Sequence, residues 1–266
     1  MIKDLTLIFH LSPYHFSYLI INSEKNYITN TKTYAISDTK EATITQQLDN
    51  IIQNDILLKV KYKNTLGGLD LGHQTLMPDI LFDQEKIQEY CNLTNKSEDE
   101  YKSFSKLKFT PCYSVFKMNN KTHRKLQSSF DNLTIKHSGS ILIDYGMYLN
   151  TKNKKDFFLY VDRYYFYIII IKNKQLVLYN KYEFKTINDF TYYLLNCINI
   201  LEMNMEETSL NIMTNIDISD PIFETISKYI KEINFIPHPQ EFTYNNETEH
   251  QSEHKQHNLL SQLICE

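Results

Sequence analysis

The sequence predicts an α/β protein of two lobes, the second repeating the element order of the first. Two observations carry this. Apolar runs of strand length come in groups of three, separated by turn residues. Each group is followed by an amphipathic helical stretch, one more strand and a second helix, so strand, strand, strand, helix, strand, helix occurs twice.

In the first half, residues 5–11 read as a strand ended at Ser12-Pro13, residues 15–21 as a second, and Tyr27 begins a third after a turn at 22–26. Ser37 and Asp38 are N-cap candidates for a helix over 39–54, where Ile44, Leu48, Ile51 and Ile52 recur at helical spacing. Residues 57–62 read as the fourth strand. Residues 78–90 follow as a helix with Ile80, Leu81, Ile87 and Tyr90 inward. In the second half the strands are 157–162, 164–171 and 175–184. A helix over 188–201 presents Phe190, Tyr193, Leu194, Cys197, Ile198 and Leu201 on one face. A strand over 209–214 and a helix over 221–233, with Ile222, Phe223, Ile226, Tyr229 and Ile230 inward, complete the order. The expected division is a first lobe over 1–152 with an inserted region at about 92–152, a second lobe over 153–236, and a polar segment with a short C-terminal helix over 237–266. Within the insertion, 92–106 reads as an exposed polar excursion. Strand-like 109–118, a helix over 122–130, residues 133–137 and a helix over 138–149 follow it.

A chain of 266 residues, 42% of them hydrophobic, can bury a large core. The net charge of −4 gives no reason to expect nucleic acid or an acidic membrane surface as partner. The longest uncharged apolar run, 164–171, is too short to span a bilayer, and the start Met1-Ile-Lys-Asp-Leu does not read as a signal peptide. The four cysteines stand singly, which suits a reducing compartment and a cytoplasmic location. There are only five glycines, Gly67, Gly68, Gly72, Gly139 and Gly146. Phosphate-cradling loops need glycine for sharp turns and close backbone approach, and neither GxGxxG nor GxxxxGK[ST] can be written from these positions.

Thr75-Leu-Met-Pro-Asp-Ile-Leu-Phe82, Leu176-Val-Leu-Tyr-Asn180 and Asn188-Asp-Phe-Thr-Tyr-Tyr193 resemble an uncharacterised Bacteroidetes family with an actin-like ATPase fold. The resemblance covers most of 1–236 and implies duplicated ribonuclease-H-like lobes, each a mixed sheet flanked by helices. It also implies where nucleotide elements would fall. Actin-like ATPases hold phosphate and metal with a DxG turn between the first two strands of each lobe. The first such turn here is His10-Leu11-Ser12-Pro13-Tyr14, with no carboxylate, no glycine and a proline that lacks an N–H. The second, Asp162-Arg163-Tyr164-Tyr165, keeps a carboxylate but carries bulky side chains where glycines belong. The Gly-Gly adenosine motif falls on Thr214-Asn215-Ile216-Asp217-Ile218-Ser219-Asp220-Pro221, which retains the proline-led helix without the glycines.

Other candidates read as structural. Asp70-Leu71-Gly72-His73 mimics the phosphate motif but follows the fourth strand, and Asp144-Tyr145-Gly146 falls within a helix. His250, His254 and His257 would share a helix face able to bind a transition metal, although their polar surroundings favour solvated histidines. Asp162 and Arg163 read either as a relic metal ligand beside an anion-binding arginine or as a polar hairpin end. Tyr160, Tyr164, Phe166 and Ile168, alternating with Val161, Tyr165, Tyr167 and Ile169, read as a strand buried on both faces. No GxSxG elbow occurs.

The expectation is a non-catalytic, degenerate actin-like protein acting as an interaction or scaffold module for a protein partner. It needs no cofactor, nucleic acid or membrane, and its oligomeric state is open. The alternative is an atypical nucleotide-binding protein or ATPase with Mg-ATP as cofactor and Asp162 as the surviving carboxylate.

Overall fold

The protein is described from a computed structural model. The structure describes residues 2–37, 39–92, 99–153, 156–204, 206, 208–214, 216–239, 241–244 and 256–266. The chain divides into two compact units. Among described residues the first holds 2–141, 241–244 and 258–266, and the second 142–239 with 256–257.

In the first unit β1 (Ile2–Leu11), β2 (His15–Asn22) and β3 (Tyr27–Ala35) form an antiparallel meander, with Leu11 opposite Phe16 where the chain turns. Helix α1 (Glu41–Asn54) buries Ile44, Leu48 and Ile52 from one face. Its N-cap is Lys40, with no side-chain cap; Asp38, the other expected cap, lies outside the described residues. The expected strand at 57–62 is instead a 3-10 turn, Ile56–Lys59. The Asp55 carboxylate accepts the Leu57 N–H at 3.0 Å and winds the chain tightly, so that Leu58 enters the core. The fourth strand, β4 (Tyr62–Leu69), comes later and runs parallel to β1.

Between β4 and the last strand of this sheet lies a separate three-stranded sheet. β5 (His73–Pro78), β6 (Glu100–Lys106) and β7 (Cys112–Asn119) pair in the order β5-β7-β6, with α2 (Ile87–Asn92) packed on them through Tyr90 and Cys91. The helix expected over 78–90 is therefore mostly two 3-10 turns, Asp79–Leu81 and Gln84–Lys86. Ile80 is 92% exposed, not inward. The expected polar excursion at 92–106 contains β6; residues 93–98 lie outside the described residues. Helix α3 (Asn120–Ser129) then leads to β8 (Leu133–His137), which lies parallel to β4.

The main sheet of this unit is covered on one face by α1 and α3 around Leu7, Phe9, Leu11, Phe16, Tyr18 and Leu126. On the other face Ile8, Leu19, Ile21 and Leu66 meet Phe242 and, near the C-terminus, Leu259 and Leu260. Two glycines in β4 make both approaches fit. A Cβ on Gly67 would stand 2.5 Å from the Phe9 ring, and one on Gly68 2.7 Å from Gln262 Nε2. That Gln262 amide donates to the Phe9 carbonyl at 3.0 Å.

The second unit repeats the strand plan. After α4 (Ser138–Asn153), where the unit boundary falls, come β9 (Phe157–Val161), β10 (Tyr165–Lys172), β11 (Gln175–Glu183), α5 (Ile187–Ile200), β12 (Ser209–Thr214), α6 (Pro221–Ser227) and β13 (Glu232–Phe235). The helix expected over 221–233 stops at Ser227. Ile230 is still buried, but residues from 232 pair in parallel with β12. One sheet face packs on α5 and α6 around Phe166, Ile168, Ile170 and Phe190. The other carries Phe158, Tyr165, Tyr167 and Ile169, all 0% exposed, and Gly146 of α4 lies against Phe158 and Ile169. Residues 157–161 and 165–171 thus form a two-face core, as their apolar runs on either side of the turn require. Last come β14 (Thr243–Tyr244), paired with β3, and α7 (His257–Ile264), the helix that carries Leu259, Leu260 and Gln262. The sheets have the orders β14-β3-β2-β1-β4-β8 and β11-β10-β9-β12-β13.

Candidate functional site

In open α/β sheets ligands bind beyond the carboxyl ends of the parallel strands. In the first unit β1, β4 and β8 bring His10, Ser12, Asp70 and His137 to one such edge, all of them buried. The turn from β1 to β2 is closed on itself. The Ser12 N–H donates to the His15 carbonyl at 2.9 Å, and Ser12 Oγ accepts the N–H groups of Tyr14 and His15 at 3.2 and 3.1 Å. Pro13 has no N–H. Every amide from Ser12 to His15 is therefore either absent or already bonded within the turn.

A chain of polar contacts runs through the same turn. Ser12 Oγ lies 3.1 Å from His15 Nδ1, and His15 Nε2 lies 3.2 Å from His10 Nδ1. A hydroxyl, an imidazole and a second imidazole are the parts of an activated nucleophile. Ser12 is 0% exposed and its oxygen already accepts two amides, so the arrangement fastens the turn and does not present a nucleophile. Sequence reading missed this contact chain, whose only signal is the His-x-Ser-x-x-His spacing of residues 10, 12 and 15.

The second unit closes its turn in the same place by different means. The Asp162 N–H donates to the Tyr165 carbonyl at 2.9 Å, matching Ser12 and His15. Asp162 Oδ1 accepts the Arg163 N–H at 2.6 Å, and Oδ2 accepts the hydroxyls of Tyr160 and Tyr165 at 3.2 Å each. The carboxylate is 3% exposed. To ligate a metal it would have to give up donors that now offset its burial. Arg163 and Tyr164 are exposed, with the guanidinium 5.6 Å from the Tyr164 ring centroid.

The loop that would meet adenosine is also internally bonded. Thr214 Oγ1 accepts the Ile216 N–H, Asp217 accepts the Ser219 N–H, and Asp220 caps α6 through the Ile222 N–H. Ile216 packs against the core of the second unit; Asn215 lies outside the described residues. In the first turn the amides from Ser12 to His15 are thus absent or already bonded, and in the second the Asp162 and Arg163 amides are already bonded.

Asp70 follows β4, its N–H bonded to the Leu11 carbonyl at 2.8 Å. Gly72 has φ +74°, and a Cβ there would sit 1.9 Å from the Lys117 carbonyl oxygen, which gives this glycine a packing reason. Asp144 and Gly146 lie in α4. His250 and His254 lie outside the described residues. His257 is not a solvated histidine: it is 0% exposed, and its Nε2–H donates to the Ile236 carbonyl at 2.8 Å. Among the described residues no group of three His, Cys, Asp or Glu side chains is arranged to hold a metal ion. No helix among them is long and apolar enough to cross a membrane.

Sheets of this order, each flanked by helices, define a protein of the actin-like ATPase fold. A Bacteroides thetaiotaomicron protein with that fold and unknown function is 21% identical. It matches over 99% of this chain and 97% of its own, with a TM-score of 0.77. The type IV pilus biogenesis complex PilM–PilN matches at 6% identity over 97% of each chain, with a TM-score of 0.64. Ethanolamine utilization protein EutJ from Carboxydothermus hydrogenoformans matches at 5% identity over 100% and 91%, with a TM-score of 0.51. No curated protein matches. The chain belongs to the family described as protein of unknown function (DUF3822), which matches residues 2–233.

Proposed function

We propose that this protein is a non-catalytic actin-like module that serves as an interaction or scaffold element for a protein partner in the bacterial cytoplasm. Its lobes, divided at about residues 152 and 153, are read as products of internal duplication whose nucleotide elements have degenerated. The observation that carries this reading is the turn from Ser12 to His15, whose amide donors are bonded to the turn's own serine and carbonyl. An ATPase keeps such donors for phosphate. That an actin-like fold can take part in an assembly is illustrated by the PilM–PilN complex.

The second reading, an atypical nucleotide-binding protein or ATPase, rests on Asp162, the carboxylate kept at the second turn. Isothermal calorimetry with Mg-ATP separates the two. No saturable heat at millimolar nucleotide is expected. Saturable binding that weakens in Asp162→Ala would overturn the scaffold reading in favour of the second.

A further inference from the structure

The third strand of each meander breaks register at the same place. Ile21 lies opposite Ile28 and Ile20 opposite Asn30, so Thr29 bulges from β3. Ile171 lies opposite Leu176 and Ile170 opposite Leu178, so Val177 bulges from β11 in the same way. Ile28 and Leu176, each just before its bulge, are therefore counterparts on the outermost strand of their meanders.

The two strands differ in what covers them. In the first unit β14 adds itself to β3 in parallel, with Thr243 opposite Tyr27 and Tyr244 opposite Ile28. The Thr243 N–H donates to the Asn26 carbonyl at 3.0 Å, just ahead of β3. Phe242 and Tyr244 pack in the same apolar cluster as Ile28, which is 0% exposed. In the second unit β11 is the edge strand, and no described strand lies beyond it. Leu176 is only half-buried there, and Val177 is 45% exposed. An edge strand with apolar side chains turned to solvent is a template for the addition of another strand.

The segment that covers β3 shows what kind of segment would cover β11. Phe242-Thr243-Tyr244 is aromatic at alternate positions, so both rings fall on one face of the added strand, and Glu241 precedes them. Leu176 stands where Ile28 receives such rings. The hairpin leading into β11 carries exposed Lys172 and Lys174, whose charge suits an acidic residue ahead of the aromatics. We propose that the edge of β11 from Lys174 to Val177 binds an extended segment of a partner protein, added parallel to β11 as β14 is added to β3. The segment is aromatic at alternate positions and acidic ahead of them. This rests on the scaffold reading, to whose protein partner it gives a surface and a chemistry. The two fail separately, since one is tested with nucleotide and the other with peptide.

The probe is a fluorescein-labelled synthetic peptide with the sequence of residues 239–249, read by anisotropy and by hydrogen exchange of the full chain. The added strand is short, so a Kd on the order of 100 µM is expected. Bound peptide should slow amide exchange around Leu176 and Val177 and leave exchange around Ile28 unchanged. K172E/K174E, which reverses two exposed charges, should weaken binding about fivefold while leaving the thermal melt unchanged. A second peptide with lysine in place of Glu241, Glu247 and Glu249 should bind that variant more tightly than it binds the wild-type chain. No binding at about 1 mM peptide, protection around Ile28 instead of Leu176, or equal binding by K172E/K174E would each overturn the proposal. Protection of Leu176 on concentrating the chain without peptide would assign the edge to a second copy and overturn it as well.

Discussion

Asp55 is nearly enclosed and holds four donors: the hydroxyls of Tyr18 and Tyr34 at 2.8 and 2.5 Å, Lys32 Nζ at 3.2 Å and the Leu57 N–H at 3.0 Å. Burial pushes its carboxyl up, yet the hydroxyls of Tyr34 and Tyr18, the Leu57 amide and Lys32 together hold it below the usual 3.8. Burial, and then the bond to Asp55, push the Tyr18 phenol far above its ordinary range. A depressed carboxyl stabilises the fold above its unfolded value, and that contribution is lost as pH falls through the folded value. The acid limb of stability below pH 3.8 should therefore flatten in Asp55→Asn. At neutral pH that variant should lose about 1–3 kcal/mol, read by urea melts, because an amide cannot receive all four donors. Little of this network was legible beforehand. The sequence does not single out Asp55, and its tyrosine and lysine partners come from β2 and β3, which no local pattern joins to it. Asp162 was legible as the carboxylate kept at the second turn. Its two tyrosine partners become visible only once Tyr160 and Tyr165 flank a tight turn.

At the scale of elements, the strands of the two meanders could be read because alternation and turn residues mark them, and β4 could not. It holds Gly-Gly, which weakens any strand signal, and the preceding Leu57-Leu-Lys-Val mimics a strand while forming a 3-10 turn. The glycines are there for what lies above and below them. Gly67→Ala should destabilise by about 1–3 kcal/mol, since the buried Phe9 ring must shift. Gly68→Ala should have a smaller effect, since the obstacle is the end of the Gln262 side chain. Parallel chemical denaturation of the two variants checks the order; an equal or reversed loss would mean that α7 is held more rigidly than the core ring. The missed strands β6 and β13 share a cause. β6 is mostly polar and β13 has only four residues, and both exist through pairing with β7 and β12, not through local preference.

For the whole molecule, the two-lobe plan followed from the repeated element order, and the actin-like neighbours share it. What the order could not reveal is how the chain's last residues enter each unit: His257 belongs to the second, while Leu259, Leu260 and Gln262 belong to the first. Removing residues 256–266 bares Ile8, Leu19, Ile21 and Leu66. The loss of two fully buried leucines should lower the melting transition by about 10 °C or more and raise binding of an apolar dye. An unchanged melt would mean that this face is stable without its helix.

The hydrogen bond from Gln262 to the Phe9 carbonyl joins residues 253 positions apart. During synthesis, β9 to β13 emerge as a contiguous stretch that can fold while the first sheet still lacks one of its two covers. The N-terminal sheet, made first, is completed last. Its apolar outer face stays open to chaperones and to other nascent chains for the time it takes to translate more than a hundred residues after β8, which makes synthesis rate a determinant of yield.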